Sequence, residues 1–292
     1  ALFQSGLRYR SLALVIVDEQ HRFGVHQRLQ LMDKGASDTA RPHQLVMTAT
    51  PIPRTLAMTV YADLDTSVIR ELPPGRTPVT TIALPERRRA EVVTRVRDAC
   101  RSGAQAYWVC PLIEESDHLE SQAAEPTAAA LAEALPDIRI GVIHGRMSST
   151  DKEQVMKAFV AGELQLLVAT TVIEVGVDVP SASLMIIENA ERLGLSQLHQ
   201  LRGRVGRGQD ASVCLLLYRS PLAVMARARL EVLRATNDGF EVAQRDLELR
   251  GPGEVLGTRQ TGLMQLRVAD LVRDAEGYCL GVTAMSIETG EP

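Results

Sequence analysis

The sequence predicts an α/β protein of parallel sheets, the first partial and the second complete, with a helical hairpin appended at the C-terminal end. Three observations point there. Short apolar runs alternate with segments of helical character, an order that right-handed crossovers turn into a parallel sheet. Apolar residues make up 45% of the chain but aromatics only 3%, so the core must be built from Val, Leu, Ile, Ala and Met. That composition suits strands covered by helices on both faces. Finally, polar motifs directly follow the apolar runs, where open parallel sheets hold their ligands.

Residues 12–17 (Leu-Ala-Leu-Val-Ile-Val) read as a buried strand ending in Asp18-Glu19. A second strand, Gln44 to Met47, leads into Thr48-Ala49-Thr50-Pro51, where Pro51 and Pro53 stop it. A helix is expected over 55–62. The stretch Leu72-Pro73-Pro74-Gly75-Arg76-Thr77-Pro78 has the composition of a stiff linker and sets a boundary, giving domains at 1–72, 73–220 and 221–292. Next come a helix over 87–101, a strand over 105–110, a polar excursion over 114–126, a helix over 127–135 and a strand over 138–143. Ser148-Ser149-Thr150-Asp151 is an N-cap cluster opening a helix to about Ala161. Strands over 164–169, 183–187 and 212–218 follow, with a helix at 195–202 between the last two. From 221 onward the pattern is helical, over 222–235 and 240–249. Gly251-Pro252-Gly253 closes the second helix, and a loop runs from Glu254 to Gly262.

A length of 292 residues accommodates about two domains. The net charge of -4 neither requires nor excludes nucleic acid, since a local basic groove is enough to bind it. Cys100, Cys110, Cys214 and Cys279 lie far apart with no Cys-x-x-Cys pair, so no metal site or disulfide framework is expected. No apolar run reaches bilayer length and no signal-peptide pattern is present, which predicts a cytoplasmic protein without membrane association. The chain opens on Ala1 rather than Met and its first strand follows almost at once, so it is expected to be cut from something longer.

The most informative motif is Gln200 to Gly208 (QLRGRVGRG), with three arginines and three glycines in nine residues. Arginine carries a permanent charge and five fixed donors, suited to the charge of a transferring phosphoryl group. The glycines would let the backbone approach a ligand and aim successive guanidiniums at one spot. A matching acid pair is Asp18-Glu19. One carboxylate can hold magnesium through water while its neighbour orients or deprotonates an attacking water. Thr48 and Thr50 either relay between a nucleotide site and a second ligand or cap the next helix. In Thr170-Thr171-Val172-Ile173-Glu174-Val175-Gly176-Val177-Asp178, hydroxyls follow a buried strand, Gly176 allows close approach and Asp178 can accept from a ribose hydroxyl. His144 reads as a loop histidine, with a phosphate contact assigned to the Gly145 region. Together these parts describe a nucleotide hydrolysed between two sheets, with carboxylates on one and arginines on the other.

Asp18-Glu19-Gln20-His21, Thr48-Ala49-Thr50-Pro51, the segment 170–180 and Gln200-x-x-Gly203-Arg204-x-Gly206-Arg207 resemble the later motifs of superfamily 2 helicases, in their order. Three stretches narrow the resemblance to the RecG family of DNA-repair helicases: DEQHRFGV at 18–25, LSQLHQLRGRVGRG at 195–208 and RDLELRGPGEVLGTRQTG at 245–262. The resemblance spans residues 10–272. It implies a partial first RecA-like domain, a complete second one and a hairpin that turns domain motion into a DNA power stroke. It also implies ATP and Mg2+ as cofactors, branched or forked DNA as partner, and a monomer. In residues, Asp18 would hold magnesium, Glu19 would activate water, and Gln20 and His21 would sense the nucleotide. Arg204 and Arg207 would face the γ-phosphate, with Gly176, Asp178 and Gln200 around the nucleotide. Thr48, Thr50, Thr170 and Thr171 would link that cleft to DNA, near His144 and Gly145. Arg245, Arg250, Arg259 and Gln260 would carry the translocation motif.

Two departures qualify the resemblance. No Gly-x-x-x-x-Gly-Lys-Ser/Thr loop occurs in the sequence, and the family's wedge domain is missing. The chain is therefore expected to be the C-terminal part of such a helicase, inactive by itself, with an incomplete first sheet. Residues after about 274 match no pattern. The rival readings are a fragment of the transcription-repair coupling translocase, which His21 disfavours, and a non-catalytic DNA-binding module.

Overall fold

A computed structural model describes residues 9, 12–18, 42–48, 65, 67–69, 71, 76–111, 117–170, 179–208 and 210–250. The chain divides into two compact units, Ala1–Pro51 and Ile52–Pro292.

In the first unit, β1 (Leu14–Val17) and β2 (His43–Val46) pair in parallel, with Leu14 opposite His43 and Val17 opposite Val46. Side chains alternate as a pleat requires: Val15 and Val17 are buried, while Leu14 and Ile16 are half exposed. The Met47 amide donates to the Val17 carbonyl at 2.8 Å, so pairing continues one step past the strands. Asp18 and Thr48 therefore leave from the same, carboxyl, end of the pair.

Among the described residues, the second unit holds six parallel strands: β3 (Thr80–Pro85), β4 (Gln105–Val109), β5 (Ile140–Ile143), β6 (Leu166–Ala169), β7 (Ala182–Ile187) and β8 (Val213–Tyr218). Their spatial order is β3-β8-β7-β4-β6-β5. The α-helices among the described residues are α1 (Arg89–Arg101), α2 (Asp117–Ala134), α3 (Ser149–Val160), α4 (Leu195–Arg202), α5 (Val224–Ala235) and α6 (Gly239–Arg250). The strands alternate between two cores. Ala106, Trp108, Leu166, Val168, Ile186, Leu215 and Leu217 face α1 and α2, meeting Val92, Val96, Cys100 and Leu131. Tyr107, Val109, Leu167, Met185, Ile187, Cys214 and Leu216 face the other way, toward Met156 and Phe159 of α3, Leu195 and Leu198 of α4, Leu230 of α5 and Val242 of α6. Burial on both faces is what continuous apolar strands need, and it accounts for the strand runs of the sequence.

Gln105, 4% exposed, donates through Nε2 to the carbonyls of Phe159 and Leu164, each at 2.6 Å, and accepts from the Ser181 hydroxyl. Gly141 sits close under the core: a Cβ there would lie 2.6 Å from Leu164 Cδ1, so that side chain would have to shift. Ser148 is the N-cap of α3, its Oγ accepting from the Asp151 amide at 3.1 Å, as its motif predicts.

Two elements differ from the sequence expectation. β3 was not predicted; it is an edge strand that starts two residues after Pro78 and ends on Pro85, and most of it is only partly buried. The polar excursion expected over 114–126 is helical from Asp117, and α2 carries Pro126 on an exposed position. The helix expected over 55–62 and the loop over 254–262 lie outside the described residues.

Candidate functional site

The arginine motif begins on α4, whose Leu195, Leu198 and Leu201 are buried, and continues as a loop over 203–208. The loop returns to the amino-terminal edge of the sheet. Arg76 Nη2 donates to the Gly203 carbonyl at 3.1 Å, and Thr77 Oγ1 donates to the Asp210 carbonyl at 3.3 Å. Gly206 has φ +77°, and a Cβ on it would meet Val79 Cγ2 at 2.8 Å. A Cβ on Gly208 would lie 2.4 Å from the Pro180 carbonyl oxygen. These two glycines thus allow close approach of the loop to its own scaffold, where the sequence reading placed a ligand.

The three arginines do not share one spot, which corrects a second expectation. Arg202 is 3% exposed and turns inward. Its Nη1 donates to the carbonyls of Leu233 (2.8 Å) and Thr236 (2.7 Å) at the end of α5, and its Nη2 to His199 Nδ1 at 3.0 Å. The Leu233 carbonyl is in the last turn of α5, where helical partners run out, and Thr236 is the residue that ends the helix, so Arg202 serves as a helix cap from a distance. Arg204 is half-buried and Arg207 is exposed, its Nε donating to the Gly203 carbonyl at 3.3 Å. Gln200 is exposed on α4. Of the three, Arg207 is the exposed one.

At the opposite, carboxyl, edge of the sheet the structure brings together His144, Gly145 and Thr170. The Thr170 amide donates to the Ile143 carbonyl at 3.2 Å, so the residues leaving β5 and β6 are neighbours. Thr170 is buried. His144 Nε2 lies 3.2 Å from Glu125 Oε1, and its Nδ1 is buried without a partner among the described residues. The Gly145 carbonyl accepts from Lys152 Nζ at 2.9 Å, which sets a cation beside the expected phosphate contact.

Further along that edge lies a group the sequence reading missed. Arg89 Nε donates to Glu188 Oε1 at 2.7 Å while its guanidinium carbon sits 5.1 Å from the Trp108 ring centroid. Burial and then Glu188 push the Cys110 thiol up to about 12, so it is inert. The only prior signal was an arginine opening a helix and a glutamate ending an apolar run.

In the first unit, Asp18 and Thr48 are exposed at the carboxyl end of β1 and β2. On the hairpin, Arg229 Nη2 donates to the Glu191 carbonyl at 2.8 Å, and exposed Arg245 pairs with Glu248 at 3.0 Å. Glu19, Gln20, His21, Thr50, Thr171, Gly176, Asp178, Arg259 and Gln260 lie outside the described residues, as does the side chain of Arg250. Among the described residues no helix is long and apolar enough to cross a membrane, and Cys100, Cys110 and Cys214 are free and buried.

The helicase conserved C-terminal domain family matches residues 89–209, and the family described as ATP-dependent DNA helicase RecG, domain 3, C-terminal, matches residues 236–285. The chain is 67% identical over 275 residues to the ATP-dependent DNA helicase RecG of Escherichia coli K12, covering 94% of this chain and 40% of that one. To the Bacillus subtilis protein of the same name it is 47% identical, with the same 94% and 40% coverage. A solved structure of RecG bound to a three-way DNA junction matches with a TM-score of 0.70 and 45% identity, over 92% of this chain and 34% of that one. Yeast Dbp5 L327V bound to RNA and ADP BeF3 shares the fold at 14% identity and a TM-score of 0.53, over 80% of this chain and 59% of that one. The chain spans about two-fifths of the length of the curated relatives it matches. With two-thirds identity sustained over nearly all its length, and with family matches on both the arginine loop and the hairpin, this chain belongs to the RecG family.

Proposed function

We propose that this chain is the C-terminal motor portion of an ATP-dependent DNA helicase that remodels branched DNA such as forks and Holliday junctions. Its parts are the end of a first RecA-like domain (1–72), a second RecA-like domain (73–220) and a translocation hairpin with its tail (221–292). The observation that carries the reading is the division of labour in the arginine loop. Arg202 is spent on the fold, while half-buried Arg204 and exposed Arg207 stand on a loop fastened at both ends.

The residues present fit ATP and magnesium. Asp18 is exposed just past a strand end, where one carboxylate and waters suffice for that cation. Arg204 and Arg207 offer the planar donors that a γ-phosphate takes. When bound, the metal neutralises charge on the transferring phosphoryl group. Glu19 orients the attacking water, Gln20 and His21 read the nucleotide, and Gln200, Gly176 and Asp178 hold it. Thr48, Thr50, Thr170, Thr171 and the His144-Gly145 turn contact DNA or relay to it, with Lys152 adding positive charge. Arg245, Arg250, Arg259 and Gln260 pass the motion to the duplex.

The relatives' printed names, ATP-dependent DNA helicase, and the three-way junction bound by one of them support this reading. No phosphate-cradling loop with its lysine occurs in the sequence, so hydrolysis by this chain alone is expected to be negligible. The test is ATP turnover with and without forked DNA, in this chain and in a full-length enzyme containing that loop. Fork-stimulated turnover in the full-length enzyme alone, lost in its Arg207→Ala variant, is the expected result. Turnover in neither protein would favour a DNA-binding module, and normal turnover in Arg207→Ala would remove its assignment as a finger.

A further inference from the structure

The far end of the proline-rich linker, at Arg76 and Thr77, grips the arginine loop. Four attachments lie between residues 76 and 80 on one side and 203 and 212 on the other. Arg76 Nη2 donates to the Gly203 carbonyl at 3.1 Å, and Thr77 Oγ1 donates to the Asp210 carbonyl at 3.3 Å. The Thr80 amide donates to the Ser212 carbonyl at 2.9 Å. Between them Gly206, at φ +77°, seats the loop so closely that a Cβ would stand 2.8 Å from Val79 Cγ2 and 3.4 Å from the Thr77 carbonyl oxygen. The Gly203 carbonyl is the one that also holds Arg207 through Nε, at 3.3 Å. Arg76 and Arg207 thus share an acceptor, and a displacement of one moves the group that orients the other. A segment tied this densely to its neighbour transmits its own displacement rather than absorbing it.

We propose that Arg76 is a positioning residue for the arginine fingers. The residues that lead into β3 thereby set the aim of Arg207. The proposal rests on the finger assignment made above. It requires no contact between Arg76 and nucleotide, only that a misplacement of about 1 Å in the finger loop is costly in the transition state, on the order of a hundredfold.

The experiment uses the full-length enzyme with Arg76→Ala, Arg207→Ala and the double variant, measuring fork-stimulated ATP hydrolysis. Arg76→Ala is expected to lower kcat by roughly tenfold to a hundredfold with KM for ATP changed less than about twofold, and to add nothing in the Arg207→Ala background. Wild-type kcat in Arg76→Ala, a rise in KM with kcat intact, or a further equal loss in the double variant would overturn it. A second readout is independent of turnover. Amide hydrogen exchange over 203–212 should quicken in Arg76→Ala while β4 and β6 keep their protection, and unchanged exchange over that loop would also overturn the proposal. Normal turnover in Arg207→Ala would remove the fingers and this proposal together. A loss there with none in Arg76→Ala removes the role of the linker alone.

Discussion

Arg202 lies 3% exposed with its guanidinium bonded to two carbonyls and to His199 Nδ1, and the last of these bonds fixes a protonation state. Arginine only donates, so Nδ1 must accept and the imidazole must be neutral, with its proton on Nε2. Burial, then the charges of Arg202 and Arg76, push the His199 pKa down to about 4 from its ordinary 6.5. The unfolded chain therefore binds more protons than the folded one between those two values. The contribution of His199 to stability is full above about pH 6.5 and is lost as pH falls toward 4. Carboxylates titrate in part of the same window, so the informative quantity is a difference. His199→Asn keeps an acceptor but cannot be protonated, and its stability should fall less than the wild type's between pH 6.5 and 4.5, by about 2 kcal/mol in urea unfolding. Parallel pH profiles for the two proteins would show that the histidine is charged or exposed in the folded state.

The same bonds matter at the level of elements, because they join α4 to the end of α5. Leu195, Leu198 and Leu201 share one core with Leu230, Leu233 and Val242, so the hairpin and the arginine helix are packed as one body. Arg202→Met would keep the volume while leaving the Leu233 and Thr236 carbonyls without their donor. Urea unfolding of this chain should register a loss of about 2–4 kcal/mol, and a loss under about 1 kcal/mol would deny Arg202 the anchoring role. What the sequence disclosed about these elements follows the strength of the local signal. β4 through β8 were legible because each is a continuous apolar run, and α3 because Ser148 and Asp151 mark its start. β3 was not, since Thr80–Pro85 sits between prolines at an edge and owes its strand state to pairing with β8, more than 120 residues away. The first turns of α2 carry Asp117, His118, Glu120, Ser121 and Gln122 ahead of Pro126, a composition that resembles a loop. In the arginine motif the residues were legible but their division was not. Nothing local separates Arg202 from Arg204 and Arg207; the distinction is made by carbonyls 31 and 34 residues along the chain.

For the whole molecule, the function proposed above raises the question whether hydrolysis and movement on DNA are one property or two. The chain covers about two-fifths of its curated relatives, so the assembled enzyme is where the question must be put. The hairpin is fastened to the second lobe by Arg202 and by Arg229, which donates to the Glu191 carbonyl at 2.8 Å. Arg245, by contrast, faces solvent and pairs with Glu248 one turn away, an i,i+3 contact whose removal costs about 0.5 kcal/mol at most. Losing it therefore leaves the fold intact, and any functional deficit has to come from what the side chain does outside the hairpin. If the hairpin delivers motion to the duplex, Arg245→Ala in the full-length enzyme should keep fork-stimulated ATP hydrolysis within about twofold of wild type while fork unwinding stops. Gln260→Ala, further along the same motif, should do likewise. An equal loss of both activities would place Arg245 in the motor itself, since the fold change would then be shared by every step downstream of hydrolysis. Normal unwinding would mean that the hairpin only packs against α4, and that the power stroke must reach DNA through the carboxyl edge of the sheet, where His144, Gly145 and Thr170 stand together.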